Sequence, residues 1–408
     1  MLRIVHCVFD QKFIDGVVEC TQQNWDNCHH EYLIVSKEQP LTFIKHKEYI
    51  KFVRDCNFLD YIKKNNIDVI VLHAFHALPS YIIRKIPSSK VVVWFSWGYD
   101  IYSPLFRNIP PLIPVKLMHS ETLKLFAPTG NNTSLLSKVW LKLIENKAFS
   151  SPKGTINFVK KSIRYVQNSI SIKKAVSRVD LYSGVIPTEY ELIKSNPQNK
   201  FFKAKPVRFN YLSDEFHFEE ENINEPTVQD YNIQLGNSAT GENNHLDIIK
   251  QLSKYNLNDK KIYSPLSYGE ENYADIVIGK AKEVFSDKFI PLRGFLPFKE
   301  YSSILNSVRY AIFFVERQQA MGNIFMAIWR GSLVFLSKSN PAYKYLKSQG
   351  YIIFTVQDDL EKIERNEILS DEQIKQNRRL LIKDYSFKAD RERAVNIISS
   401  IKSVLERR

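Results

Sequence analysis

The sequence predicts an α/β protein with two Rossmann-like, doubly wound domains that face a central cleft. Three observations support this prediction: a length of 408 residues, short apolar runs that alternate with helix-like stretches, and a composition break near the middle of the chain. A chain of this length exceeds what one hydrophobic core usually organises, so two domains are expected. Strand-like and helix-like stretches in alternation are typical of βαβ units around a parallel sheet.

The first half of the chain contains four strand-like runs that end near polar or turn residues. They cover residues 2–8, 31–35, 68–73 and 90–95. The VVVWF sequence in the last run is apolar without alternation, as expected of a parallel strand buried on both faces. The stretch 48–65 is predicted to be a helix between two of these strands.

The acidic stretch 214–226, which ends in a proline, has the composition of an interdomain linker. The alternation starts again after it. The predicted strands of the second half are 232–235, 261–263, 289–292, 310–315, 333–336 and 351–356. We expect a first domain at 1–222, a second domain at 223–385, and a C-terminal helix at 386–408 that can pack back on the first domain.

The composition excludes several classes of protein. A hydrophobic content of 44% excludes wholesale disorder, and no apolar run approaches the roughly 18–20 residues of a membrane-spanning helix. The N-terminus lacks the pattern of a signal peptide, which favours a protein that works in a cytosol. The four cysteines lack the paired spacing of a zinc site, so free thiols are expected.

The stretch 101–179 has thirteen Lys or Arg residues and two acids, so it carries most of the net charge of +13. Lys138 and Lys142 lie among apolar residues within it, a pattern typical of a basic amphipathic helix on an anionic lipid surface. A solvated basic face and nucleic-acid binding are the alternatives, but no nucleic-acid-binding motif accompanies the charge. We therefore predict a basic helical insertion at about 112–178 that contacts an anionic membrane, and no nucleic-acid partner.

The strand predicted at 310–315 opens into a polar loop and then into a helix. Such a loop presents free backbone N–H groups at the positive end of a helix dipole, where phosphate oxygens bind. Arg317 adds a cation with fork geometry, Gln318 and Gln319 offer hydrogen bonds to hydroxyl groups, and the helix start brings Gly322 and Asn323. The alternative is an ordinary strand–loop–helix unit whose polar residues are merely solvated.

Three further loops of the second half carry glycine or polar residues where predicted strands end. Carboxyl ends of parallel strands meet at one edge of a sheet, and ligands bind in the crevice there. The residues that we expect at this edge are Gly236, Asn237, Ser238, the helix-opening His245, Tyr268, and Leu296, which can border a nucleobase. Each loop alone is also common as a simple turn, but their repetition at strand ends favours one binding site.

These loops resemble those of glycosyltransferase family 56, the TDP-Fuc4NAc:lipid-linked-oligosaccharide Fuc4NAc transferases of enterobacterial common antigen synthesis. The matching residues of the second half are Leu235-Gly236-Asn237-Ser238, Asn244-His245, Pro265, Tyr268-Gly269, Arg317-Gln318-Gln319 and Gly322. Those of the first half are Asp10, His73 and the segment WFSWGYDIY at 94–102. The sequence departs from the family pattern at Ala320, where the family has glycine, and at Asn323.

The resemblance implies a GT-B glycosyltransferase with the nucleotide-sugar, such as dTDP-Fuc4NAc, on the second domain and a lipid-linked saccharide acceptor on the first. It also implies inversion at the anomeric carbon and a position on the inner face of a bacterial cytoplasmic membrane. No cofactor is expected, since the nucleotide-sugar is a substrate. The sequence contains no Asp-x-Asp motif to hold a metal on the diphosphate, so we predict that no metal ion takes part.

An inverting transfer needs a first-domain group that takes the proton of the acceptor hydroxyl. Asp10, His73 and Asp100 all lie at the ends of predicted strands and are candidates. We prefer Asp100, which lies beside Trp97 and Gly98, two residues that can shape a platform for the acceptor sugar. The alternatives are that Asp100 holds the turn, that His73 is a core histidine, and that Asp10 only orients the acceptor.

Two other functions are compatible with a pair of doubly wound domains. A sugar-nucleotide epimerase or dehydrogenase needs a Gly-x-Gly-x-x-Gly turn after its first strand, and the sequence FDQK at 9–12 is different. A non-catalytic two-domain sugar-binding protein of the periplasmic type is disfavoured by the lack of a signal peptide and of disulfide-type cysteines.

Overall fold

The computed structural model describes residues 1–11, 13–103, 109–126, 167–210, 217–294, 296 and 298–408, and these form two parallel sheets flanked by helices. The strands of the first sheet are β1 (Leu2–Cys7), β2 (Cys28–Ile34), β3 (Ile50–Phe52), β4 (Val69–His73), β5 (Val91–Phe95), β6 (Leu181–Ser183) and β7 (Lys205–Pro206). The strands of the second sheet are β8 (Asn232–Leu235), β9 (Ile262–Pro265), β10 (Phe289–Leu292), β11 (Val308–Phe313), β12 (Leu333–Leu336) and β13 (Phe354–Thr355).

Helices connect the strands within each domain. The helices with bounds in the first half are α1 (Ile14–Asn24), α2 (Phe58–Lys64), α3 (Ser80–Ile83), α4 (Tyr99–Tyr102), α5 (Ser120–Phe126) and α6 (Thr188–Ser195), and residues 167–177 are also helical. Those of the second half are α7 (His245–Leu252), α8 (Glu271–Phe285), α9 (Phe298–Leu305), α10 (Met321–Trp329), α11 (Pro341–Ser348), α12 (Glu361–Glu364), α13 (Asp371–Tyr385) and α14 (Phe387–Leu405).

The order of the strands is doubly wound in both sheets, which confirms the predicted α/β fold class. The first sheet runs β3-β2-β1-β4-β5-β6-β7 and the second runs β10-β9-β8-β11-β12-β13, and every recorded strand pairing is parallel. In such a sheet the order reverses between two central strands, here β1 and β4 in one sheet and β8 and β11 in the other. The loops that follow these four strands therefore border the crevices in which ligands bind.

Burial of apolar residues on both faces explains the central strands. All five residues of β5 and all six of β11 are buried, as expected of strands covered by helices on both sides. Helix α14 buries Ala394, Ile397 and Ile401 in the same core cluster as Ile4 and Val93 of the first sheet. The C-terminal helix therefore packs on the first domain although it follows the second domain in sequence.

The predicted helix over 48–65 is wrong in its first part, where Ile50–Phe52 forms edge strand β3 beside β2. Helix α2 begins only at Phe58. The short strands β6 and β7 were not predicted, since two or three residues are too few for a recognisable period. Most of the predicted basic insertion, including Lys138 and Lys142, lies outside the described residues, and no described helix has the length and apolar character needed to span a membrane.

Candidate active site

The turn after β8 is built around Gly236, whose backbone has a positive φ of 69°. A Cβ atom at this position would lie 2.6 Å from Nε2 of His245 and 3.0 Å from Oδ1 of Asn243, so only glycine fits. His245, the first residue of α7, is fully buried, and burial lowers the pKa of its imidazole to about 3. Its Nε2 atom has no hydrogen-bond partner among the described residues. The neutral imidazole thus has one unused nitrogen beside the Gly236 turn.

Asn237 connects three of the predicted strand-end loops. Its side-chain amide donates to the hydroxyl of Tyr268 over 3.0 Å, and its oxygen accepts from Nε2 of Gln319 over 3.2 Å. The neighbouring Ser238 hydroxyl accepts from the amide of Asn243 over 3.0 Å. The loops after β8, β9 and β11 therefore meet at one place, as expected from their positions in the sequence.

Arg317, the cation of the predicted phosphate loop, is paired with a carboxylate in the structure. Its Nε donates to Oε2 of Glu242 over 2.6 Å, and its Nη1 donates to the carbonyl of Gln318 over 2.9 Å. The arginine side chain is 15% exposed, so the ion pair is partly shielded from solvent. The carboxylate of Glu242 occupies the position beside the guanidinium that another anion could take.

The helix that follows Arg317 begins with an unusual backbone conformation. Ala320 has a φ of 60°, in the left-handed region, and α10 starts at the next residue. Gly322 and Asn323 lie in the first turn of this helix, where backbone N–H groups have no partner within the helix. The side-chain amide of Asn340 stabilises the loop by donating to the carbonyl groups of Val315 and Arg317. The helix start is thus presented to the same crevice as the Gly236 turn.

Two glutamine oxygens at this crevice are buried and have no hydrogen-bond partner among the described residues. They are Oε1 of Gln318 and Oε1 of Gln319. Leu296, which we expected at the same edge, is half-buried, but residues 295 and 297 on either side of it lie outside the described residues. The predicted donor-site residues other than Leu296 are therefore grouped around the ends of β8, β9 and β11.

A segment of the first half, residues 117–122, packs directly on the second domain. The imidazole of His119 stacks on Phe314 with ring centroids 4.3 Å apart, and its Nε2 lies 2.6 Å from Oε1 of Glu316. The carboxylate of Asp247 accepts the backbone N–H groups of Glu121 and Thr122. This docked segment borders the Arg317 loop and was not predicted.

The predicted acceptor loop of the first domain lies against the donor loops. Gly98 has a φ of 81°, and a Cβ atom there would lie 2.7 Å from Oε1 of Gln318. The Trp97 ring packs against Phe9, with centroids 4.8 Å apart, and against Phe13. The Trp97–Gly98 turn thus contacts the Arg317 loop directly.

Asp100 is fully buried, and both of its carboxylate oxygens are engaged. One oxygen accepts from the backbone N–H of Phe75 over 3.0 Å and from Nε1 of Trp94 over 2.8 Å, and the other accepts from the N–H of Trp97 over 2.9 Å. Burial raises the pKa of Asp100, while these hydrogen bonds act in the opposite direction. This geometry suits a group that holds the turn, and it leaves the carboxylate closed to an acceptor hydroxyl.

The other two predicted bases are also engaged within the first domain. Nε2 of His73 lies 2.9 Å from Nδ1 of His6, whose Nε2 lies 2.9 Å from Nδ1 of His30. Burial lowers the pKa of His73 to about 3. The carboxylate of Asp10 accepts three backbone N–H groups of residues 42–44, and these bonds lower its pKa although burial opposes the shift. Both residues therefore support local structure.

Several residues of the site were missed because their partners are distant in sequence. Glu242 is one of them; it directly precedes Asn243 and Asn244, and this polar run before α7 was the available signal. His76 lies three residues after the end of β4, but its neighbours Tyr99 and Asp100 could be identified only from the structure. Within the described ranges, no group of three or more His, Cys, Asp or Glu side chains is arranged to hold a metal ion.

Comparison with known proteins adds two findings. Residues 199–390 match the family described as 4-alpha-L-fucosyltransferase, glycosyl transferase group 56. A glycosyltransferase from Rickettsia africae ESF-5 is 13% identical with a TM-score of 0.59 over 98% of each chain. A sucrose-phosphate synthase from Thermosynechococcus elongatus is 8% identical with a TM-score of 0.60, over 99% of this chain and 100% of that chain. HepE from Anabaena, in complex with UDP and glucose, is 11% identical with a TM-score of 0.58, over 98% and 100% respectively.

These structural similarities confirm the predicted GT-B fold, in which two Rossmann-like domains face a cleft. At such low identities they show the fold alone. The family match covers the part of the chain that carries the Gly236 turn and the Arg317 loop, and it confirms the predicted resemblance to group 56.

Proposed function

We propose that this glycosyltransferase, whose residues 199–390 match group 56, is an inverting enzyme that builds a bacterial surface polysaccharide. It transfers a sugar, an N-acetylated deoxy sugar such as Fuc4NAc, from a nucleoside diphosphate to a lipid-linked saccharide. The donor site comprises Gly236, Asn237, Ser238, His245, Tyr268, Leu296, Arg317, Gln318, Gln319, Gly322 and Asn323. The acceptor lies against Trp97 and Gly98.

The observation that carries this proposal is a set of three buried polar atoms without partners. They are Nε2 of His245, Oε1 of Gln318 and Oε1 of Gln319, and all three lie beside the Gly236 turn or the start of α10. A buried polar atom that stays unpaired costs about 1–3 kcal/mol. A sugar with several hydroxyl groups can donate to the two glutamine oxygens and so remove this cost. The site is therefore suited to a polyhydroxylated ligand.

The leaving group needs positive charge as its bond to the sugar breaks. The acceptor oxygen attacks the anomeric carbon, the bond between that carbon and the phosphate oxygen breaks, and the electron pair stays on the nucleoside diphosphate. Arg317, which pairs with Glu242 in the structure, exchanges this carboxylate for a phosphate of the donor. The first turn of α10 adds backbone N–H groups. On this proposal the charge is neutralised without a metal ion, and activity should be insensitive to EDTA.

Nucleotide binding provides the first test. We expect nucleoside diphosphates to raise the melting temperature in a thermal-shift panel and NAD to have no effect, since only ligands that bind the folded state stabilise it. Stabilisation by NAD alone would support the epimerase or dehydrogenase alternative. A panel of nucleotide-sugars, scored by release of nucleoside diphosphate, then identifies the donor, and NMR of the product determines whether the anomeric centre is inverted.

Membrane association is a separate part of the proposal and rests on the charge of segment 112–178. Each basic side chain near an anionic surface contributes roughly 1 kcal/mol, and the effect weakens with salt. We expect replacement of Lys138, Lys142, Lys160 and Lys161 by glutamate to release the protein from liposomes that contain acidic lipid. Equal sedimentation of the two proteins would assign the basic segment another role and would leave the transfer reaction unaffected.

A further inference from the structure

We propose that His76 is the general base of the transfer reaction and that Asp100 is the residue that positions it. This inference rests on the proposed function, because it assigns the proton acceptor for the same acceptor hydroxyl. The general base is then His76, which the sequence did not single out, and not one of the three residues expected from the sequence.

The position of His76 follows from the topology of the first sheet. Strands β4 and β5 are parallel neighbours, with His73 paired to Phe95, so the loops that follow them run side by side at the carboxyl edge. His76 lies in the first of these loops and Tyr99 in the second, and their rings stack with centroids 5.8 Å apart and an interplanar angle of 29°. The residue before Tyr99 is Gly98, which abuts the donor loop. His76 therefore contacts Tyr99, the residue that directly follows the Gly98 contact with Gln318.

Asp100 is fully buried and lies close enough to His76 for their charges to interact. Its two oxygens are held by three N–H donors, so the carboxylate has a fixed position. The negative charge of Asp100 interacts with the His76 imidazole and favours its protonated form. A carboxylate close to an imidazole stabilises the positive charge that the imidazole gains when it accepts a proton.

The protonation state of His76 before reaction suits a base. Burial lowers the pKa of His76, while Asp100 opposes this shift, so the imidazole is neutral at neutral pH and able to accept a proton. The ring of Tyr99 packs on it, and burial raises the pKa of this phenol, which stays neutral. Glu189 is a further buried acid near Asp100, and burial raises its pKa to about 7.

These groups account for the proton and the electron pair that move in the transfer. The acceptor O–H proton moves to the His76 imidazole as the oxygen forms its bond to the anomeric carbon. The bond from that carbon to the phosphate breaks, and the nucleoside diphosphate leaves with the electron pair. Asp100 takes up no proton in this step, and the imidazolium later loses its proton to solvent.

The first experiment replaces His76 by alanine. We expect kcat to fall by roughly 10² or more, the usual contribution of a general base, while the affinity for nucleoside diphosphate is unchanged. Imidazole added to the variant should restore part of the rate. His29→Ala, which removes an exposed histidine of the same domain, is the control and should keep the native rate. Near-native turnover by His76→Ala would overturn the proposal.

The second experiment tests Asp100 as a positioning residue with the pH–rate profile. In Asp100→Asn the imidazolium loses its negative neighbour, so we expect the acidic limb of the kcat profile to move to lower pH and kcat to fall, with KM for the acceptor little changed. A purely structural role would lower the melting temperature and leave the limb where it is, and that result would remove Asp100 from the proposal. Failure of nucleoside diphosphate binding in the native protein would instead refute the proposed function itself.

Discussion

The two crevice edges of the molecule treat their polar residues differently. At the first-domain edge, Asp10, His73 and Asp100 are each bonded to groups of their own domain. At the second-domain edge, His245 and Gln318 keep buried polar atoms that have no partner among the described residues. Polar residues at strand ends thus support the fold in the first domain. In the second domain, some of them keep buried hydrogen-bonding atoms that a ligand could use.

This difference shows that position at a strand end is not sufficient to identify a binding residue. What distinguishes the two edges is whether neighbouring backbone N–H groups are available to satisfy the side chain. The loop at 42–44 supplies three such groups to Asp10, whereas the Gly236 turn supplies none to Nε2 of His245. If the comparison is correct, substitutions of Gly236 and Arg317 at the second edge should affect ligand binding, and substitutions of Asp10 and His73 at the first edge should affect stability.

The largest effect is expected for Arg317→Ala. A hydrogen bond between a cation and a phosphate contributes about 1.5–3 kcal/mol, so nucleoside diphosphate should bind at least tenfold more weakly by calorimetry. Arg293→Ala is the matched control, since this arginine follows β10 at the edge of the same sheet and pairs with Asp275 near the surface. Glu242→Gln should leave the affinity equal or higher, because it removes the competing carboxylate. Unchanged affinity in Arg317→Ala would exclude this residue from the site.

Gly236→Ala should lower both stability and donor affinity. An alanine at a φ of 69° costs about 1–2 kcal/mol, and its Cβ would displace the imidazole of His245. Thermal unfolding and nucleotide titration measure the two effects. Gly279→Ala, in helix α8 with open space around it, should instead raise stability by about 0.5–1 kcal/mol. Retention of full donor affinity by Gly236→Ala would show that the turn does not approach the ligand.

The histidines of the first domain should make the fold sensitive to acid. Burial lowers the pKa of His73 to about 3 and that of His30 to about 4. Above pH 6.5 neither the folded nor the unfolded protein protonates them, so their contribution to stability is complete. As the pH falls below 6.5, only the unfolded chain takes up these protons. Each buried histidine then lowers the free energy of unfolding by about 1.4 kcal/mol per pH unit, until the pKa of the folded state is reached.

Urea unfolding of the native protein and of His73→Gln at pH 7 and pH 5.5 measures this contribution. The variant should lose less free energy of unfolding between the two pH values than the native protein does. His29→Gln, which alters an exposed histidine, should behave like the native protein. An equal loss in all three proteins would mean that His73 is not the group that titrates.

The smallest effect is expected for Tyr268→Phe. The variant removes the hydroxyl that orients the Asn237 amide and leaves the bond from Gln319. A neutral hydrogen bond contributes about 0.5–1.5 kcal/mol, so donor affinity should fall by a factor of about two to twelve. A loss of melting temperature without a loss of affinity would place Tyr268 with the structural residues of the first domain.

Much of the fold could be predicted from local sequence patterns. The apolar runs at 91–95 and 310–315 identified central strands, because burial on both faces requires unbroken apolar residues. The strand Leu181–Ser183 was missed, since three residues show no period, and the residues 50–52 were assigned to a helix that begins later. Edge and short strands depend on their partners more than on their own sequence.

The sequence by itself determined the fold class and the clustering of polar residues after β8, β9 and β11, because both follow from residue order along the chain. Only the tertiary structure decided how these residues pair. Arg317 meets Glu242 across 75 residues, and Gly98 meets Gln318 from the other domain. Whether a polar side chain is satisfied depends on such distant contacts, since a hydrogen bond requires an aligned partner within about 3 Å, and sequence spacing does not specify that distance.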